Sequence, residues 1–213
     1  SLRKAISAST VLMLLGLPLA AEPVTIAALG DSLTQGYGLP PEKGFVSQLE
    51  NWLKSRGSEV NIMNAGVSGD TTAGGLARAD WTMTPDVDAM ILALGGNDLL
   101  RGLPPEESRA NLDGILARAR EKNVPVLLVG LRAPGNYGPD YKSAFDGMFP
   151  ELAREYGALH FESFLAGLEV FGDQAIVMRD YMQPDGIHPN AAGVALIVDA
   201  IGPAVVELID RVK

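Results

Sequence analysis

Four short segments of the chain hold residue types that could together perform acyl transfer. Gly30-Asp31-Ser32-Leu33 directly follows an apolar run and offers a serine hydroxyl at or near the start of a helix. Free backbone N–H groups at that position favour developing negative charge, so a serine there can attack and its own N–H can support the oxyanion that results. Asp185-Gly186-Ile187-His188-Pro189 supplies a base and its orienting acid. Pro189 biases His188 toward extended backbone, and Gly186 permits a tight turn that brings the Asp185 carboxylate back to one imidazole nitrogen. That contact fixes the tautomer and frees the other nitrogen for proton transfer. Between these lie Asn64-Ala65-Gly66-Val67-Ser68-Gly69-Asp70, where Gly66 offers an unhindered N–H, and Gly95-Gly96-Asn97-Asp98, where Asn97 offers an uncharged amide donor. Each segment alone has a plainer use: a helix cap for Asp31 and Ser32, a strand-to-helix turn around Gly66, an Asx-type turn at Asn97, and a surface loop closed by a capping Asn190. Together they complete the parts list of a serine acyl-transfer site.

Composition narrows the field further. There are no cysteines, so thiolate metal sites, disulfides and cysteine nucleophiles are excluded, and with two histidines a three-histidine zinc site is impossible. A histidine base is therefore His160 or His188, and His160 lies in a strand-like run where a packed role is expected. Seventeen Lys and Arg against 26 Asp and Glu give a net charge of -9, with no basic stripe to meet a nucleic acid or an anionic lipid surface. Gly36 and Gly38 do not open a dinucleotide fingerprint, because Pro41 stands where the third glycine belongs.

The elements that must position these residues alternate regularly. Strand candidates lie at Val24–Leu29, Val60–Met63, Val87–Leu94, Val126–Val129 and Ala158–Phe161. Phe45, Leu49, Trp52 and Leu53 repeat at helical spacing before Gly57, and Leu112, Ile115, Leu116 and Ala119 form one face of a helix opened by Pro104 and Pro105. Val194, Val198, Ile201, Val205, Leu208 and Val212 mark a C-terminal helix that Pro203 is expected to kink or split. This alternation predicts a three-layer α/β domain with a parallel sheet of about five strands covered on both faces. Function in such sheets collects at the carboxyl ends of the strands, and the polar segments follow the strands. At the N-terminus, Arg3 and Lys4, an apolar stretch from Val11 to Leu19, and Ala20-Ala21 outline an export signal. Residues 1–21 are thus expected to be a leader and 22–213 a single domain in the periplasm or outside the cell. The apolar run falls short of the roughly 20 residues of a membrane span.

The chain resembles the SGNH, or GDSL, hydrolase superfamily, and within it the bacterial thioesterase I, arylesterase and lysophospholipase group. The resemblance runs from Val24 onward and rests on GDSLTQGYGL, NAGVSGDTT, LALGGNDLLRG and MQPDGIHPN. The four positions that name the superfamily match Ser32, Gly66, Asn97 and His188, and Asp185 completes its D-x-x-H segment. The resemblance implies a flavodoxin-like sheet, a catalytic set of Ser32, Asp185 and His188, and no cofactor or metal. It also implies an oxyanion hole from the N–H groups of Ser32 and Gly66 and the Asn97 side chain. The implied partner is a small-molecule acyl ester or thioester, and no residue pattern assigns an oligomeric state. Tyr37, Leu39, Tyr137 and Met182 flank the motifs and are candidates to line an acyl pocket. Two alternatives stay open on sequence: a carbohydrate O-deacetylase using the same site, and a non-catalytic lipid- or glycan-binding module.

Overall fold

Short apolar runs become the strands of one sheet, and the three inner ones are buried on both faces, as parallel sheets require. In the computed structural model, which describes residues 22–212, the strands are β1 (Val24–Gly30), β2 (Val60–Gly66), β3 (Ala89–Ala93), β4 (Val126–Val129) and β5 (Leu159–Phe161). All are parallel and ordered β2-β1-β3-β4-β5. The helices between them are α1 (Ser32–Gln35), α2 (Phe45–Lys54), α3 (Thr72–Thr82), α4 (Gly96–Leu100), α5 (Pro105–Glu121), α6 (Pro139–Tyr156), α7 (Ala166–Glu169), α8 (Gln174–Asp180) and α9 (Ala191–Asp210). Successive residues of β1 serve opposite layers. Ile26 and Ala28 join the core under α2, α7 and α9, whereas Ala27 and Leu29 join the core under α3, α5 and α6. The chain leaves β1 toward β2 on one side and returns to β3 on the other. This places the topological switch point, where open α/β sheets bind ligands, between β1 and β3.

Several expectations are refined. β2 continues to Gly66, which sits in register opposite Gly30, so the glycine is the last strand residue and not part of a following turn. β3 is shorter than its apolar run. Two further long helices, α3 and α6, complete the layer over one face of the sheet. α3 carries Gly74 and Gly75 in its first turns, which weakens its helical signature. A Cβ on Gly75 would stand 2.1 Å from Leu94 Cδ1, so any larger residue there would have to displace that buried side chain. Pro203 does not split α9, which runs unbroken through it, as α6 runs through Pro150. Burial of Val198, Ile201, Val205 and Leu208 in the core keeps α9 helical on both sides of the proline. Trp52 packs its ring on Gly202 and donates from Nε1 to Asp199 Oδ1 at 2.7 Å, adding a second clamp beside the proline. Among the described residues α9 alone is long and apolar enough to cross a membrane, but that apolar face is the one turned to the core. The expected leader, residues 1–21, lies outside the described residues.

Candidate active site

β1 ends at Gly30, and the reason for glycine there is close approach. Its φ is not in the left-handed region, but a Cβ would lie 2.0 Å from Thr34 Oγ1 and 2.9 Å from the Ala93 carbonyl. Asp31 then caps α1, accepting from Leu33 N at 3.0 Å, so the serine after it starts the helix with its N–H pointing out of the first turn. α1 is a single turn, so its contribution is local N–H groups and hardly a macrodipole. Ser32 is buried, and its Oγ lies 2.9 Å from His188 Nε2. The other ring nitrogen, Nδ1, lies 2.7 Å from Asp185 Oδ2. An ionised carboxylate can only accept, so the proton belongs on Nδ1 and the Nε2 lone pair faces the serine hydroxyl.

Residues 181–190 fold into a hook that makes this geometry. Gly186 turns with φ +68, Gln183 N donates to His188 O at 2.8 Å, and Met182 bridges Pro189. Asp185 Oδ1 accepts from the N–H of Ile187 and of His188, both at 3.0 Å. These backbone N–H groups and the His188 ring hold the Asp185 carboxyl down at about 2. Gln183 Nε2 donates to Tyr37 O at 2.8 Å and Pro189 O at 3.0 Å, tying the hook to the loop after α1. Asn190 caps α9 through Ala192 N and Gly193 N, as the sequence suggested for that position.

The two remaining motif residues stand at the ends of neighbouring strands. Asn97 lies in the first turn of α4 and gives one amide hydrogen to the Asp70 carbonyl at 2.9 Å, which leaves the other for a substrate oxygen. Gly66 N donates to Asn64 Oδ1 at 3.0 Å, so a substrate oxygen would share that donor with the Asn64 side chain. The need for glycine is again packing: a Cβ at 66 would stand 2.3 Å from Gln35 N of α1. Asp98, next to Asn97, is a buried anchor that the motif reading did not single out. It accepts from Thr72 N at 2.9 Å, Thr72 Oγ1 at 2.6 Å and Ser108 Oγ at 3.1 Å, which locks α4 to α3 and α5.

The pocket candidates separate. The Tyr37 ring packs on His188 with centroids 4.6 Å apart, and Met182 borders an apolar cleft beside the hook. Leu39 packs into the core under α2 and α9, while Tyr137 covers Gly102 and pairs with the Tyr141 ring. His160 sits in β5, as expected of a packed histidine. Its Nε2 is buried without a hydrogen-bond partner among the described residues, and burial lowers its pKa.

Asp31 brings an electrostatic cost that its capping role conceals. Burial pushes its carboxyl up to about 6, against the opposing pull of the Leu33 N–H and His188. The folded value lies above the ordinary one of 3.8, so the folded chain keeps a proton that the unfolded chain has already released between about pH 4 and pH 6. Stability therefore falls as pH rises through that window, by about 3 kcal/mol at most. Asp31→Asn retains a side-chain oxygen for Leu33 N and removes the charge. Urea unfolding is expected to find it more stable than the native chain at pH 8, by up to about 3 kcal/mol, and no more stable at pH 3.5. No gain at pH 8 would mean that the burial cost is met elsewhere in the fold.

Comparison with known proteins finds esterases and thioesterases similar to this chain. The model of the GDSL-like lipase/acylhydrolase family matches residues 28–196. Esterase TesA of Pseudomonas aeruginosa is 35% identical over 186 residues, covering 87% of this chain and 89% of that protein. Thioesterase 1/protease 1/lysophospholipase L1 of Escherichia coli K12 is 34% identical over 181 residues, covering 84% and 82%. The crystal structure of AlinE4, an SGNH-hydrolase family esterase, superposes with a TM-score of 0.70 at 44% identity, covering 88% of this chain and 97% of that one.

Proposed function

Because the chain belongs to the GDSL-like lipase/acylhydrolase family, we propose that it is a serine esterase that hydrolyses carboxylic esters and thioesters of apolar acyl chains through an acyl-enzyme on Ser32. The observation that carries this reading is the continuous relay from Asp185 Oδ2 to His188 Nδ1 at 2.7 Å and from His188 Nε2 to Ser32 Oγ at 2.9 Å. In the proposed reaction His188 Nε2 takes the hydroxyl proton as Oγ attacks the carbonyl carbon. The oxyanion forms against Ser32 N, Gly66 N and the free amide hydrogen of Asn97. The imidazolium, stabilised by Asp185, protonates the departing alkoxide or thiolate. His188 then deprotonates water, which attacks the acyl-enzyme, and the proton returns to Ser32 as the acid leaves.

The choice of an apolar acyl chain rests on the ground beside the hook. A cleft of about 470 Å³ opens between α7, α8 and residues 182–187, lined by the apolar side chains of Leu165, Leu168, Val177, Met178, Met182 and Ile187, with Glu169, Asp173 and Gln174 also on its wall. Ile187 precedes the proposed base, and both it and Met178 are exposed large apolar side chains with no role in the core. The named activities of the relatives, esterase and thioesterase 1/lysophospholipase L1, fit the same class. A p-nitrophenyl ester series from acetate to palmitate tests it. Each methylene that enters the cleft contributes about 0.8 kcal/mol, so kcat/KM is expected to climb up to about fourfold per carbon before levelling off. Turnover of acetate alone would overturn the acyl-chain reading and favour a deacetylase. Export from the cytoplasm, supported by the charge and apolar pattern of residues 1–21, belongs to the same proposal.

A further inference from the structure

No sequence motif points to Arg78, which lies in the second half of α3, yet its guanidinium touches two of the three segments that carry a proposed oxyanion donor, and through Asp70 it reaches the residue that holds the third. Nη2 donates to Gly30 O at 2.9 Å, Nη1 to Ala65 O at 2.7 Å, and Nε to Asp70 Oδ2 at 2.6 Å. Gly30 stands two residues before Ser32, and Ala65 directly before Gly66. The backbone carbonyl of Asp70 accepts from Asn97 Nδ2 at 2.9 Å. One planar cation thus grips the end of β1, the end of β2 and the residue that holds Asn97. Gly30 O also accepts from Val67 N at 3.0 Å, so the first two of these segments are joined to each other at the same atom. The Arg78 and Asp70 side chains are mostly buried, at 23% and 18% exposure, which shields the pair from water. Arg101 adds a lesser tie to the same loop, from Nη2 to Gly69 O at 2.9 Å.

We infer that Arg78 is a positioning residue that sets the spacing of the three oxyanion donors, acting through Gly30 O, Ala65 O and Asp70 without touching substrate. This rests on the proposed esterase reading, in which Ser32 N, Gly66 N and Asn97 Nδ2 receive the oxyanion. Arginine suits the task because three of its five N–H donors point in fixed directions within one plane. A lysine at 78 brings the same charge on one atom and cannot reach all three acceptors in that geometry. The donors matter most as the tetrahedral intermediate forms, so a loss of alignment falls on kcat before KM.

The test uses Arg78→Lys, Asn97→Ala and the double variant on a p-nitrophenyl ester, with phosphonate labelling of Ser32 in parallel. Arg78→Lys keeps charge and stem, and is expected to lower kcat about 10- to 100-fold with KM within about threefold. The rate of phosphonylation should fall with kcat, because the phosphonyl oxygen takes the oxyanion's place. Asn97→Ala is expected to lower kcat about 100- to 1000-fold. The double variant should then lose clearly less than the product of the two single losses, since part of the Arg78 effect runs through Asn97. A purely structural arginine gives another pattern: a lower Tm for Arg78→Lys with native kcat at temperatures well below it. That pattern, or fully multiplicative losses, overturns the inference. Failure of the esterase reading looks different again, because the native chain itself would neither turn over the ester nor take the phosphonate at Ser32.

Discussion

Ser32→Ala is expected to lower kcat for p-nitrophenyl ester hydrolysis by about 10,000- to 1,000,000-fold while leaving the protein folded. The substitution removes one oxygen whose hydrogen-bond partner is His188 Nε2 at 2.9 Å. α1 does not depend on it, because the cap is Asp31 and the backbone N–H of residue 32 survives the change. His188 stays fixed by Asp185 and by the Tyr37 ring, so the unfolding midpoint should move little. What disappears is the atom proposed to form the acyl-enzyme. The oxyanion donors remain and can still favour attack by water, which is why a residual rate above background is expected. Labelling by a phosphonate should vanish entirely, as it needs the hydroxyl. If Ser32→Ala kept even a tenth of the native rate, another group would be the nucleophile and the covalent mechanism would fall. A native chain equally inactive toward every ester in the series would instead point to a binding module or to a sugar ester outside it.

How much of this site is readable without coordinates depends on the range of the contacts. Asp185 and His188 lie three residues apart, and the turn that joins them is written locally in Gly186 and Pro189, so sequence spacing is enough to pair them. Asp31 as a cap and Asn190 as a cap are readable for the same reason. The five strands are readable because apolar runs of that length have few other uses between helical patterns. Arg78, Asp98 and Gln183 are different. Their partners lie 8 to 48, 10 to 26, and 6 to 146 residues away, and nothing near them in sequence marks those contacts. Gly30 and Gly66 are intermediate cases. Their presence is visible, but the reason is α1 packed against strand ends, and not a turn or an open N–H. The length of α9 goes against a local rule, since tertiary burial holds a helix together across a proline that would interrupt an isolated one.

Asp185→Asn is the sharper test of how the base is prepared, and its expected cost is about 10,000-fold in kcat at neutral pH. The argument lies in the two oxygens of Asp185. Oδ1 accepts from two backbone N–H groups, Ile187 and His188, at 3.0 Å each. In the asparagine variant the amide oxygen is the one group that can keep those bonds, so the NH2 takes the place of Oδ2 beside Nδ1. A donor there makes Nδ1 the acceptor and moves the ring proton to Nε2, where it faces Ser32 and blocks proton abstraction. The variant therefore keeps the loop's shape and loses the tautomer, and KM should change little. The pH dependence follows from the carboxyl's value of about 2. This is below the ordinary 3.8, so the stability Asp185 contributes is fully present above that ordinary value and is lost as pH falls toward 2. In the native enzyme Asp185 is thus ionised throughout the working range and adds no ionisation of its own to kcat/KM near neutral pH. An Asp185→Asn loss below about tenfold would mean that the carboxylate does not set the proton on the ring.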